Sequence, residues 1–241
     1  MTVLNFIASG SFQGTTGDIS RVSQSSAHKC IRQVMDGLFT RESDYVNFPC
    51  DNISQNELAV GFASLAGFQW VQDTIDCTHV AIQRPPPEPG VFINQKGYHS
   101  INAQLEYDHR KISADLFKTG DRLKGWFIRD EGCPLQTWLM TPVRNPTNEA
   151  QERYNQSDMT IRCVSEQVIG MLKMCFRCLD RSGGALQYSP ARVSSIIMMC
   201  CVLHNIAQQR GLQVEDVERA HQASSAAGNI EEEEEDERDE E

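Results

Sequence analysis

Short apolar strands followed by long helices is the pattern that most limits how this chain can fold. Residues 74–83, inside the stretch VQDTIDCTHVAIQ, read as a strand that Pro85, Pro86 and Pro87 stop, because proline donates nothing to a ladder. Residues 98–108, after a turn at Lys96-Gly97, and residues 125–130 read as two more. A helix over 151–179 follows, with Val164, Val168, Met171, Leu172, Cys175, Phe176 and Leu179 on one face. Another starts at Ser189-Pro190, a cap and a first-turn proline, and continues through Ile196 and Leu203 to Gly211. Strands covered by later helices make an α/β domain over residues 71–211.

Ahead of the strands, residues 1–45 read as helical. A short helix, a turn near Ser23, and a longer helix striped with Ala27, Cys30, Ile31, Val34, Met35 and Leu38 have the form of a helix-turn-helix or of an ordinary helical hairpin. Lys29 and Arg32 fall off the stripe and face outward. Residues 46–70 are expected to be a connector with one helix, capped by Ser54 and ended at Gly67.

Charge sits almost entirely at one end. Residues 231–241, EEEEEDERDEE, hold ten acids and one arginine, which is −9 of the net −11 and leaves −2 for the rest. A run of like charge cannot bury itself, so residues 212–241 are expected to be a solvated, disordered tail. The near-neutral remainder argues neither for nor against a nucleic-acid partner. The longest apolar run, residues 196–203, is too short to cross a membrane. The start, MTVLNFIASGSFQ, has no basic region and no small-residue cleavage site, so the nine cysteines are expected as reduced thiols.

One strand carries an oddity. Asp76 stands in its middle, where a buried, unpaired carboxylate is costly. Asp130 ends another strand and Glu166 lies on a helix, 54 and 36 residues further along. If the fold brings the three together, their mutual repulsion calls for divalent cations, and hard oxygen donors suit Mg²⁺ or Mn²⁺. Two such ions can activate water and steady the leaving oxygen of a phosphodiester. Each acid also has a structural reading. Asp76 could pair with Thr78 or His79, Asp130 with Glu131-Gly132 could be a plain turn, and Glu166 follows Arg162 at the spacing of a surface ion pair.

Several blocks resemble the PIF/Harbinger transposase superfamily and its transposase-derived nucleases. They are DCTHVAI with KGYHSINAQ, WFIRDEGCPLQTWLMTP, RYN, CFRCLD with GALQYSP, and CCVLHNIA, with ASGSFQ and SQSS near the start. The resemblance implies a ribonuclease-H-like fold with a DDE metal site, and its acids fall on Asp76, Asp130 and Glu166. It also implies DNA as substrate, a Myb/SANT-like DNA-binding companion, no membrane, and residence in nucleus and cytoplasm with partner-assisted nuclear entry. Residues 1–45 then read as a truncated helix-turn-helix-like region.

The chain departs from that pattern in two places. After Arg110 a strand and a glycine–serine loop are missing, so the sheet edge is expected to be short or irregular. Arg129 and Glu131 flank Asp130 where the family has glycine and serine, and Arg129 would either repel a cation or meet a phosphate. These departures keep open a second function, a catalytically inactive DNA- or protein-binding scaffold. Zinc held by Cys175 and Cys178 with Cys200, Cys201 or His204, and a Cys77–His79 nucleophile, are further alternatives with less support in the spacing.

Overall fold

The computed structural model describes residues 1–46, 51–85, 89–108, 111–113, 125–132 and 136–212. The expected acidic tail from residue 213, and most of the stretch after Arg110, lie outside the described residues. Met1–Asn205 form one compact unit. Of the second unit, from Ile206 onward, residues 206–212 are described, and they end a helix with Gly211 at φ 73°.

Four helices open the chain: α1 (Thr2–Ser9), α2 (Gln13–Ile19), α3 (Gln24–Phe39) and the short α4 (Glu42–Tyr45). Gly10 closes α1 in the left-handed conformation, φ 69°, where a side chain would be strained. Ser23 caps α3 by accepting the Ser26 N–H, as a turn at that serine requires. A Cβ on Gly17 would sit 2.7 Å from the Val22 carbonyl, so only glycine lets α2 fold back this tightly onto the turn. Ala27, Ile31 and Met35 bury the stripe of α3, while Val34 stays exposed and Lys29 and Arg32 face outward.

Next, α5 (Asn52–Ala66) is capped by Asp51, not Ser54. The Asp51 carboxylate accepts both the Ile53 and Ser54 N–H groups, so the serine is already inside the first turn. Gly67 ends the helix at φ 71°. This helix contributes Leu58 and Phe62 to the core.

The sheet has five strands in the order β3-β2-β1-β4-β5. The central β1 (Val71–Ala81) begins three residues before the expected start. It pairs antiparallel with β2 (Ser100–Asp108), placing Asp76 opposite Leu105 and Ala81 opposite Ser100. It runs parallel to β4 (Trp126–Ile128), which is in turn parallel to β5 (Leu139–Met140). The edge strand taken to be missing is present but only three residues long, β3 (Lys111–Ser113).

Two long helices follow, α6 (Glu149–Cys175) and α7 (Pro190–Gln209). Asn148 caps α6 and starts it two residues ahead of the expected position. Ile75 of β1 packs with Leu58, Phe127 and Leu139, whereas Ile161 of α6 packs with Phe62, Val71 and Ile128. By length and composition α7 could cross a membrane, yet Val193, Ile196, Met199 and Val202 are buried inside the protein, as in the core helix of a soluble fold.

Candidate active site

Strand pairing decides where the two aspartates go. Thr74 of β1 is in register with Ile128 of β4; Asp76 lies two residues further along β1, and Asp130 two residues past the end of the parallel β4. Both border a cleft of about 470 Å³ shared with Cys77, His79, Asn102 and Arg129. The pleat then sorts the side chains by face. Thr74 meets Ser165 of α6 at 3.3 Å, so Asp76 shares the face that looks toward α6. Ile75, on the other face, packs against α5, and Cys77 and His79 continue that face into the cleft. Asp76 is partly buried and its carboxylate accepts the Cys77 N–H at 2.7 Å, rather than pairing with Thr78 or His79.

Arg129 is less of an obstacle than its position next to Asp130 suggests. Its N–H bonds to the Met140 carbonyl and extends the β4–β5 pairing, so alternation sends its side chain away from that of Asp130. The guanidinium donates instead to Cys77 Sγ at 3.0 Å. Asp130 is exposed, at the start of the turn through Glu131 and Gly132.

Glu166 is the one acid that does not reach the cleft. Its helix is laid along β1 by two contacts: Ser165 meets Thr74, and eight residues later Lys173 Nζ donates to the His79 carbonyl at 3.0 Å. Glu166 and Lys173 are seven apart, two turns, and share a helix face. Glu166 thus stands on the stretch of α6 that passes Asp76. Its carboxylate, however, is 56% exposed and paired with Arg162 at 3.4 Å. Among the described residues, no three Asp, Glu, His or Cys side chains lie close enough to share one ion.

The remaining sequence candidates take structural roles. His79 Nδ1 bonds to Ser100 Oγ at 2.9 Å, not to Cys77, and Asn94 donates to the same hydroxyl. Burial pushes the Cys77 thiol up despite Arg129, so it is no thiolate nucleophile. Cys178 and Cys200 are buried with their sulfurs 4.0 Å apart, burial pushes the Cys200 and Cys201 thiols up, and buried His204 is lowered to about 4 and stays neutral. That is a thiol-rich core, not a zinc site. Sequence reasoning missed Lys173 and the buried Asp158, although the spacing of Asp158, Arg162 and Glu166, four residues each, puts all three on one side of α6.

Residues 115–205 match the model of the DDE superfamily endonucleases, a span holding Asp130 and Glu166 but not Asp76. The protein named "Putative nuclease HARBI1" is 37% identical over 236 residues in both Bos taurus and Homo sapiens, with 89% of this chain and 68% of the relative aligned. "Protein ALP1-like" of Arabidopsis thaliana is 22% identical over 241 residues, covering 84% of this chain and 58% of its own. No solved structure matches. The chain belongs to the harbinger transposase-derived nuclease family.

Proposed function

We propose that this protein is a divalent-metal-dependent nuclease that hydrolyses phosphodiester bonds in DNA, with Asp76, Asp130 and Glu166 as its metal ligands. The observation that carries this reading is that Asp76 of β1 and Asp130, two residues past the end of the adjacent parallel β4, border one cleft. The sheet order supports a ribonuclease-H-like fold: a central β1, antiparallel neighbours on one side and parallel ones on the other. We assign residues 71–211 to the nuclease domain, 1–45 to a helix-turn-helix-like region, 46–70 to the segment between them and 212–241 to an acidic tail. A Myb/SANT-like partner and a nuclear and cytoplasmic location complete the proposal.

The donor chemistry suits a hard cation: the carboxylates of Asp76 and Asp130 border one cleft, and Glu166 stands on the stretch of α6 that passes it, held outside by Arg162. When bound, Mg²⁺ or Mn²⁺ would supply a hydroxide-like water and neutralise charge at the phosphate. Asp76, its carboxylate held in orientation by the Cys77 N–H, would hold the ion together with Asp130 and Glu166. Glu166 must first leave Arg162. Exposed i,i+4 pairs are worth only about 0.3–0.5 kcal/mol, so this exchange is easy.

The scaffold reading has one observation in its favour, the Arg162–Glu166 pair that keeps the third acid out of the cleft. Plasmid nicking in Mg²⁺ and Mn²⁺ separates the two. Loss of cleavage by orders of magnitude in Asp76→Asn, Asp130→Asn and Glu166→Gln is expected; no cleavage by the parent protein would leave the scaffold.

A further inference from the structure

Three sequence blocks have no part in the carboxylate site: ASGSFQ, SQSS and GALQYSP. In the fold they converge on one cavity of about 290 Å³, lined by Phe6, Phe12, Gln13, Gln24, His28 and Tyr188 among others. Gln13 joins them. Its amide nitrogen lies 3.2 Å from His28 Nδ1 and donates to the Tyr188 hydroxyl, 175 residues away in the chain. The frame is stiff, because backbone packs on backbone. A Cβ on Gly10 would come within 3.1 Å of the Arg177 carbonyl, and one on Gly183 within 2.6 Å of the same atom. The far wall is tied to the main sheet, since Leu186 N–H bonds to the Ala81 carbonyl and Gln83 N–H to that of Leu186.

Such a volume equals roughly ten waters, beyond any ordinary packing defect. Its chemistry is selective. The lining has no lysine, arginine or carboxylate, so it would reject both a phosphate and a metal ion. It offers instead three side-chain amides, an imidazole, a phenol and aromatic rings, one of which, Phe12, is 64% exposed. Aromatic faces with amide edges are what a neutral planar heterocycle needs, stacking on one and hydrogen-bonding to the other. A cavity at the small end of the ligand-site range takes one such ring.

We infer that this cavity binds a single nucleobase, one extruded from a DNA strand held at the carboxylate cleft. The choice of a DNA strand rests on the nuclease reading. The geometry agrees with it: the cavity adjoins Ala81, the end of β1, and Asp76 lies five residues back, about 17 Å at strand rise. A strand crossing the site could span that distance with one base turned out, at the unstacking cost that base-flipping proteins meet.

The test uses the full chain in EDTA, so that the metal site plays no part. Two probes carry 2-aminopurine: a DNA duplex with one unpaired 2-aminopurine, compared with the same duplex bearing an abasic spacer there, and the free riboside. The unpaired base is expected to bind roughly tenfold more tightly than the spacer and to be quenched. Phe12→Ala and Gln24→Ala, both at exposed residues, are expected to abolish that preference. Phe12-dependent binding of the free riboside without any preference in DNA would assign the cavity to a mononucleoside and overturn the extruded-strand source. An absent preference with no riboside binding, or one unchanged in both variants, would overturn the pocket. If the preference holds while cleavage does not depend on Asp76, the pocket stands and the nuclease reading falls; the reverse result removes the pocket alone.

Discussion

Replacing Asp158 by asparagine is expected to stabilise the protein, and to do so more at high pH. Asp158 is 1% exposed, and its buried Oδ1 has no hydrogen-bond partner among the described residues. Burial pushes its carboxyl up from the ordinary 3.8 to about 6, with the charge of Arg162 opposing only in part. The folded protein therefore holds a proton that the unfolded chain releases. Stability falls as pH rises from about 3.8 to about 6, and the full penalty is present above that. A shift of about two units corresponds to about 3 kcal/mol at pH 8, falling to about 1 kcal/mol at pH 4.5. Asparagine keeps the shape without the charge. Urea unfolding followed by circular dichroism should show a gain of up to about 3 kcal/mol at pH 8 and clearly less at pH 4.5. An equal effect at both pH values, or a loss at pH 8, would refute the burial argument.

Other outcomes follow from the same structure. Phe127→Ala empties a site 1% exposed beneath Trp138 and should cost about 3–5 kcal/mol in urea unfolding. His204, lowered to about 4 by burial, is neutral when folded, so its contribution is complete above about 6.5 and is lost as pH falls through about 4; His204→Gln should flatten the stability–pH curve in that window. Arg162→Gln removes the partner that holds Glu166 out of the cleft, and Mn²⁺ titration should show binding tightened about twofold.

Much of this was legible in the chain because periodicity and punctuation are local. The Ser23 turn, the Gly67 stop and the cover of the strands by α6 follow from spacing alone. The ends of elements were less so. Asp51 outcompetes Ser54 as a cap because a carboxylate three residues earlier can take two N–H groups. Three-residue β3 carries too few positions for any period to show, and its existence depends on β2 beside it. The site divides in the same way. Asp76 and Asp130 stood out because a polar group in a strand contradicts its surroundings, whereas the direction of the Arg129 side chain depends on a β4–β5 register that no local pattern encodes. The Arg162–Glu166 pair was readable as plain helix spacing. Which of its two roles wins is a matter of what else approaches α6, and that is tertiary.

The central claim is that Asp76 belongs to a divalent-metal centre shared with Asp130 and Glu166. Calorimetric titration of the full chain with Mn²⁺, beside Asp76→Asn, tests it most directly. Saturable binding that weakens at least tenfold in the variant, with thermal stability kept, is the expected result, because one carboxylate charge is lost while the Cys77 N–H still has an oxygen to meet. Identical Mn²⁺ binding in both proteins, or none in either, would contradict it.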